Sequence, residues 1–328
     1  MFSCSENETT SKIVTVVNPD LDSLSIRALV VKNKNEFYFS GSNSSFGYSN
    51  DGGKTWSVSF IDTLKQEFRS LVVLDSSIIM VNVGSPAKVY RSIDFGKTWQ
   101  ITFIDSAKTA FYNSMKFWDN KNGIATGDPQ EEGYLSMIFT HDGGKTWNKI
   151  PSDTLPKLDK GEAQFAASNT CIDAIDGNIW IATGGLNSRI LKSSDSGKSW
   201  KIITPNFIKG KQMTGIFSID FYDKNNGVIF GGDWDNKSNS IKNKFVTADS
   251  GKTWQESISE EKIGYRSCVQ YIDEHRVIAV GIPGISFSND GGKTWKNISD
   301  EKYFYTVRII DNNSALIAGK GKVAKIYF

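Results

Sequence analysis

The chain has 328 residues, with 38 basic and 36 acidic side chains and a formal charge of +2. So balanced a charge gives no reason to expect a nucleic-acid track or attraction to an anionic membrane. A 39% hydrophobic and 12% aromatic composition supplies an ample core, and no apolar run approaches the roughly 20 residues of a membrane-spanning helix.

Residues 1–11 read as a polar tail, and 12–328 as one repeat-built unit. Phe2 and Ser3 precede Cys4 as an apolar and a small residue precede the cysteine of a bacterial lipobox. On that reading Cys4 carries lipid and the protein is exported, to the periplasm or the cell surface. The alternative is an incidental cysteine in a frayed terminus. Cys171 and Cys268 fall at equivalent positions of two repeats, as small buried residues rather than a disulfide or metal pair.

Beyond an apolar strand at 12–17, seven repeats follow in order. Each opens with an apolar strand: 26–31, 68–74, 112–118, 169–175, 216–222, 265–272 and 305–310. A polar turn and a second strand ending in glycine come next, at Gly41, Gly84, Gly127, Gly184, Gly231, Gly281 and Gly319. The turns Asp119–Gly123 and Asp223–Gly227 lack the alternating acids and late Glu of a calcium loop, so they read as hairpins. A third strand then leads, in six repeats, into the phrase [ST]-x-D-x-G-K-[ST]-W.

The six copies centre on Asp51, Asp94, Asp142, Asp195, Asp249 and Asp290 and close on Trp56, Trp99, Trp147, Trp200, Trp254 and Trp295. Their spacing of roughly 40 to 55 residues is that of a repeat array. An Asp in a tight turn accepts bonds from amides one or two residues on, and the following Gly supplies positive φ. Lys-[ST]-Trp then starts a fourth strand, with Trp as an apolar anchor. Six copies at equivalent positions cannot share one active site, so these Asp residues read as structural.

This phrase resembles the Asp-box, or bacterial neuraminidase repeat. That resemblance implies an all-β propeller of four-stranded antiparallel blades with each box on the hairpin between the third and fourth strands. Seven first strands imply seven blades. The seventh repeat stops after its third strand, 322–328, and strand 12–17 supplies the fourth, closing the ring without an exposed edge. The blade count is similar to the photosystem II assembly/stability factor family, and runs such as Phe68-Arg69-Ser70, Gly231-Gly232-Asp233 and Gly264–Ser267 sit where its members have similar ones. Sialidases have six blades and an Arg-Ile-Pro-like segment, whereas this chain reads Ile26-Arg27-Ala28.

In such a ring the boxes and the first turns share one face, and the loops after the second strands share the other. Aligning the first strands places Arg27, Arg69 and Arg266 at one position, with Asn113, Asn169, Phe217 and Tyr305 in the other blades; Tyr112 and Tyr265 immediately precede it. An arc of planar guanidinium forks suits a carboxylate or phosphate, with Arg27, Arg69, Arg266, Tyr265, Tyr112 and Asn113 as ligand-binding candidates. The alternative is local pairing, for example with Glu67 or Asp22. Asp128, Glu162 and Asp233 belong to the same face, as counter-ions, loop caps or paired carboxylates for glycoside hydrolysis. His141 lies in an Asp-box and His275 in a hairpin turn, and neither suits a catalytic role.

The reading is a monomeric, non-catalytic binding or assembly scaffold that needs no cofactor or metal and holds a protein partner, an anionic small molecule or a glycan. The alternative is a sialidase-like or glucanase-like hydrolase using Asp128, Glu162 or Asp233.

Overall fold

The structure, a computed structural model, describes residues 12–16, 21–130 and 133–328. Seven sheets, antiparallel but for the short parallel pairing of Ile258–Ser259 with Thr294–Trp295, surround one axis as a seven-bladed β-propeller. Their innermost strands are Ile26–Val31, Glu67–Val73, Tyr112–Phe117, Ile172–Ile175, Thr214–Phe221, Cys268–Tyr271 and Phe304–Asp311, and each packs on the next round the ring. In the last blade Lys12–Val16 pairs antiparallel with Val323–Tyr327, Lys12 opposite Tyr327 and Val16 opposite Val323. The Velcro closure expected from sequence therefore forms.

Each Asp-box is held by its own carboxylate. Asp51 accepts from the amides of Lys54 and Thr55 and from the hydroxyls of Ser49 and Thr55, the last at 2.6 Å. The Ser49 hydroxyl in turn accepts the amide of Gly53. The closing Trp packs against the preceding blade: Trp99 meets Phe46 at 5.3 Å and Trp295 meets Phe230 at 5.1 Å, both edge-on. The box thus turns the chain and wedges one blade against its neighbour, combining a satisfied turn with burial of a large apolar surface. Backbone bonds such as Gly52 N–H to Asn35 O and Gly143 N–H to Lys121 O tie boxes to first turns on the same face.

The inner strands carry a repeated bulge. Register shifts at Ile26/Ala28, Phe68/Ser70, Tyr112/Ser114, Ile216/Ser218 and Phe304/Thr306 leave Arg27, Arg69, Asn113, Phe217 and Tyr305 as the extra residues. A bulge re-aims the side chain it inserts. Glycine ends several second strands because the bulged chain passes so close: a Cβ on Gly127, Gly231 or Gly319 would lie 2 Å or less from a backbone carbonyl oxygen. Gly84 has nothing within 4 Å, and Gly184 belongs to a short strand pairing with Glu162–Ala163, so these two play other parts.

Register also shifts two assignments by one residue. Cys268 stands opposite Val280, just before Gly281, as Ser114 stands opposite Thr126, just before Gly127. The bulge position of the sixth blade is therefore Ser267, and Arg266 stands one earlier. In the fourth blade the Cys171–Ala182 backbone bond and the Ile172–Ile181 pair make it Thr170, not Asn169. The residue after the bulge is small in all seven blades: Ala28, Ser70, Ser114, Cys171, Ser218, Cys268 and Thr306. All are fully buried, so the channel is sealed at this level.

The Thr98 hydroxyl, then the Thr98 amide, draw Asp94 down to about 2, and Ser199 does the same for Asp195. Their stabilisation is complete above the unfolded carboxylate pKa of about 3.9 and is lost as pH falls through about 2. Urea midpoints measured between pH 5 and pH 2 should fall less steeply for Asp94→Asn than for the wild-type chain. Identical slopes would show that the boxes do not carry the acid sensitivity.

Candidate functional site

The face opposite the Asp-boxes is dominated by a segment that sequence periodicity did not single out. Residues 164–169 lead into the fourth blade across the channel; 164–168 lie over the ring, and the Asn169 side chain reaches past it to the other side. Arg27 donates to Ala167 O at 3.3 Å and Arg69 to Ala166 O at 3.0 Å. The Ser168 hydroxyl donates to Ser267 O, and Asn169 accepts the Met115 amide while donating to Leu71 O. Phe165 stacks on Phe217 at 3.8 Å, and Tyr265 meets Phe217 edge-on at 4.7 Å. The segment is a plug, satisfied on both polar and apolar sides.

The structure brings Arg27 and Arg69 together at that plug and sets Arg266 elsewhere. The Arg27 guanidinium lies 4.3 Å over the Tyr305 ring. Burial, then the Arg27 charge, lowers the pKa of Arg69, and Glu67 at 3.5 Å partly offsets this. Arg266, one residue ahead of the bulge, runs outward beneath its own blade. It donates to the Ser286 hydroxyl, to Asn297 Oδ1 and to Tyr265 O, and burial brings it down to about 10. Asn113 is buried beside the Cys171 thiol, and Tyr112 donates to Asp105 at the end of the second blade's outer strand.

The three candidate carboxylates are occupied. Glu162 is buried, holds Arg189 through both oxygens at 2.9–3.0 Å from Nε, and accepts from Thr183 Oγ1 and the Asp159 amide. Asp233 caps its own loop by accepting the amides of Asp235 and Asn236, with Lys211 at 3.4 Å. Asp128 accepts the amide of Gln164 at 3.0 Å, and burial pushes it up to about 6.

What the face does present is a cleft of about 770 Å³ between blades five, six and seven. Five cations line it, Arg266, Lys237, Lys262, Lys302 and Lys320, against two acids, Glu261 and Asp300. Trp234 and Tyr303 stand exposed at its walls, with Lys237 Nζ 4.2 Å over the Trp234 ring. These residues lie on irregular loops, outside any repeat register; Trp234 and Lys320, next to the ends of second strands, are the ones a search of loops after second strands could have found. Among the described residues no group of three or more His, Cys, Asp or Glu could hold a metal ion.

Fold and boxes together define an Asp-box β-propeller. Residues 48–58 and 138–149 match the BNR/Asp-box repeat model. In fold the chain is similar to YCF48 bound to D1 peptide (TM-score 0.69, 14% identity, covering 98% of this chain and 97% of that one). It is equally similar to YCF48 from Cyanidioschyzon merolae (0.68, 16%, 96% and 98%). The GH74 enzyme of Niastella koreensis also matches (0.61, 14%), over 92% of this chain and 52% of that enzyme. At these identities the likeness is one of fold. No curated protein matches the sequence.

Asp128 offers a direct check on the site's electrostatics. A half-buried carboxyl raised to about 6 costs nothing below the unfolded value of about 3.9, and its full penalty applies above about 6. Asp128→Asn keeps an acceptor for the Gln164 amide and removes that penalty. Urea unfolding at pH 7.5 should show the variant more stable by about 1–3 kcal/mol, with the advantage gone near pH 4. A less stable variant at pH 7.5 would mean that the ionised form is the one the fold favours.

Proposed function

We propose that the protein is a non-catalytic binding scaffold that holds an acidic, extended segment of a protein partner in the cleft between blades five, six and seven. One observation carries this reading: the cleft pairs a surplus of cations with exposed aromatic walls, while Asp128, Glu162 and Asp233 are each committed to bonds within the protein. Exposed Lys302 and Lys320 draw carboxylates, and Trp234 and Tyr303 offer apolar surface and ring faces. The likeness to a propeller bound to a peptide supports a binding role, at the level of fold. Arg27 and Arg69 act in this reading by holding the plug that floors the face. Export with lipid on Cys4 belongs to the same reading; Cys4 lies outside the described residues.

The alternative, glycoside hydrolysis, draws on one feature, the half-buried Asp128 with a raised pKa, as a general acid requires. Release of reducing sugar from a glycoside panel, abolished by Asp128→Asn, would favour it.

The binding reading is tested by fluorescence anisotropy with a labelled decapeptide rich in Asp, Glu and Phe, and a counterpart with Lys in place of each acid. The acidic peptide should bind at least about tenfold more tightly, a difference of about 1.4 kcal/mol. Binding should weaken as salt rises and drop about tenfold in Lys302→Glu/Lys320→Glu. Equal binding of both peptides, or no effect of that double variant, would overturn the reading.

A further inference from the structure

Below the sealed ring the inner strands splay, and the channel reopens on the Asp-box side as a cup of about 180 Å³. Its wall takes one residue from each blade, three positions beyond the bulge. In ring order these are Val30, Val72, Lys116, Asp173, Asp220, Gln270 and Arg308. Two valines thus face an arc of five polar side chains.

Part of that arc is already matched. Lys116 Nζ lies 2.7 Å from Asp173, whose other oxygen accepts the Phe221 amide. Asp220 Oδ2 accepts the Tyr271 amide, Gln270 Oε1 accepts the Ile309 amide, and Arg308 donates through Nη1 to Val307 O. This leaves Asp220 Oδ1, the Gln270 amide nitrogen, and Nε and Nη2 of Arg308 without a hydrogen-bond partner among the described residues, with Lys116 and Arg308 within electrostatic reach of Asp220. On three consecutive blades the cup therefore offers a carboxyl acceptor, a neutral donor and a cationic donor; burial and then the Asp173 charge push the Asp220 carboxyl up to about 7, against the pull of Lys116 and Arg308.

We propose that this cup binds a small zwitterion of the aliphatic α-amino-acid class. The ammonium group sits on Asp220, the carboxylate on Arg308 and Gln270, and the side chain against Val30 and Val72. A lone anion would meet the Asp220 carboxylate, and a lone cation would meet the Arg308 guanidinium. Only a ligand carrying both charges satisfies the two together. The volume corresponds to about six waters at roughly 30 Å³ each, the scale of a free amino acid with a short branched side chain. The site lies beyond the seal from the cationic cleft and does not depend on what that cleft binds.

Isothermal titration calorimetry of the full chain with L-valine tests this, with isovalerate and isobutylamine as half-ligands carrying one charge each. Valine should bind saturably, and each half-ligand at least about tenfold more weakly. Asp220→Asn and Arg308→Gln should each lose about tenfold. Val72→Trp, which fills the cup and leaves both charges in place, should abolish binding without shifting the thermal midpoint by more than a few degrees. The proposal is overturned by any of three results: no saturable binding of valine, isovalerate binding as tightly as valine, or valine binding retained in Val72→Trp. If either charge variant fails to fold, Val72→Trp and the half-ligands still decide the matter.

Discussion

Seven strands converging on one axis leave little room between them, and the rest of the molecule follows from how that room is filled. The ring from Ala28 to Thr306 holds only Ala, Ser, Cys and Thr, whose small side chains let the backbones approach and whose polar atoms find partners in the next blade. Ser114 Oγ meets Cys171 Sγ, and Ser218 Oγ meets Thr170 Oγ1 and accepts the Val269 amide. One layer down, Asp173, Asp220 and Gln270 each accept an inner-strand amide of the following blade, at Phe221, Tyr271 and Ile309. A hydrogen bond to a buried carboxylate contributes about 1.5–3 kcal/mol, and losing the acceptor strands the amide. Blade order is thereby locked by side chains as well as by closure of the last sheet.

A sealed axis moves binding to the two faces. On the Asp-box side the carboxylates are consumed by their own turns, which leaves the shallow cup at the end of the channel. On the other side the plug consumes Arg27 and Arg69, so the cations free to act lie further out, on loops between blades five and seven. The plug and the cleft touch through Tyr265, which packs on Phe217 while its carbonyl accepts from Arg266. Movement at the cleft therefore has a packed route to the segment over the channel.

Most of the fold was legible in the sequence because its signals are local. The Asp-box declares a hairpin within a run of eight residues, and a count of first strands against boxes gave both the blade number and the closing strand. The candidate site was legible only in part. Arg27 and Arg69 share a position because both are bulge residues, whereas Arg266 joined them only through an alignment blind to the bulge. The spacing to glycine was the clue available: Gly281 packs against the carbonyl of Tyr265 as Gly319 packs against that of Tyr303, which sets the sixth bulge at Ser267. The plug could not be read, since residues 164–169 have no periodicity and owe their path to long-range contacts with other blades. The same holds for the cleft, whose lysines lie on loops of unrelated length.

The most direct measurement is hydrogen–deuterium exchange of the full chain with and without a bound acidic peptide. Binding in the cleft should slow exchange in segments 234–240, 261–266 and 300–305 and leave the Asp-box turns unchanged. Protection confined to the Asp-box turns, with the three cleft segments unaffected, would contradict the assignment of this face.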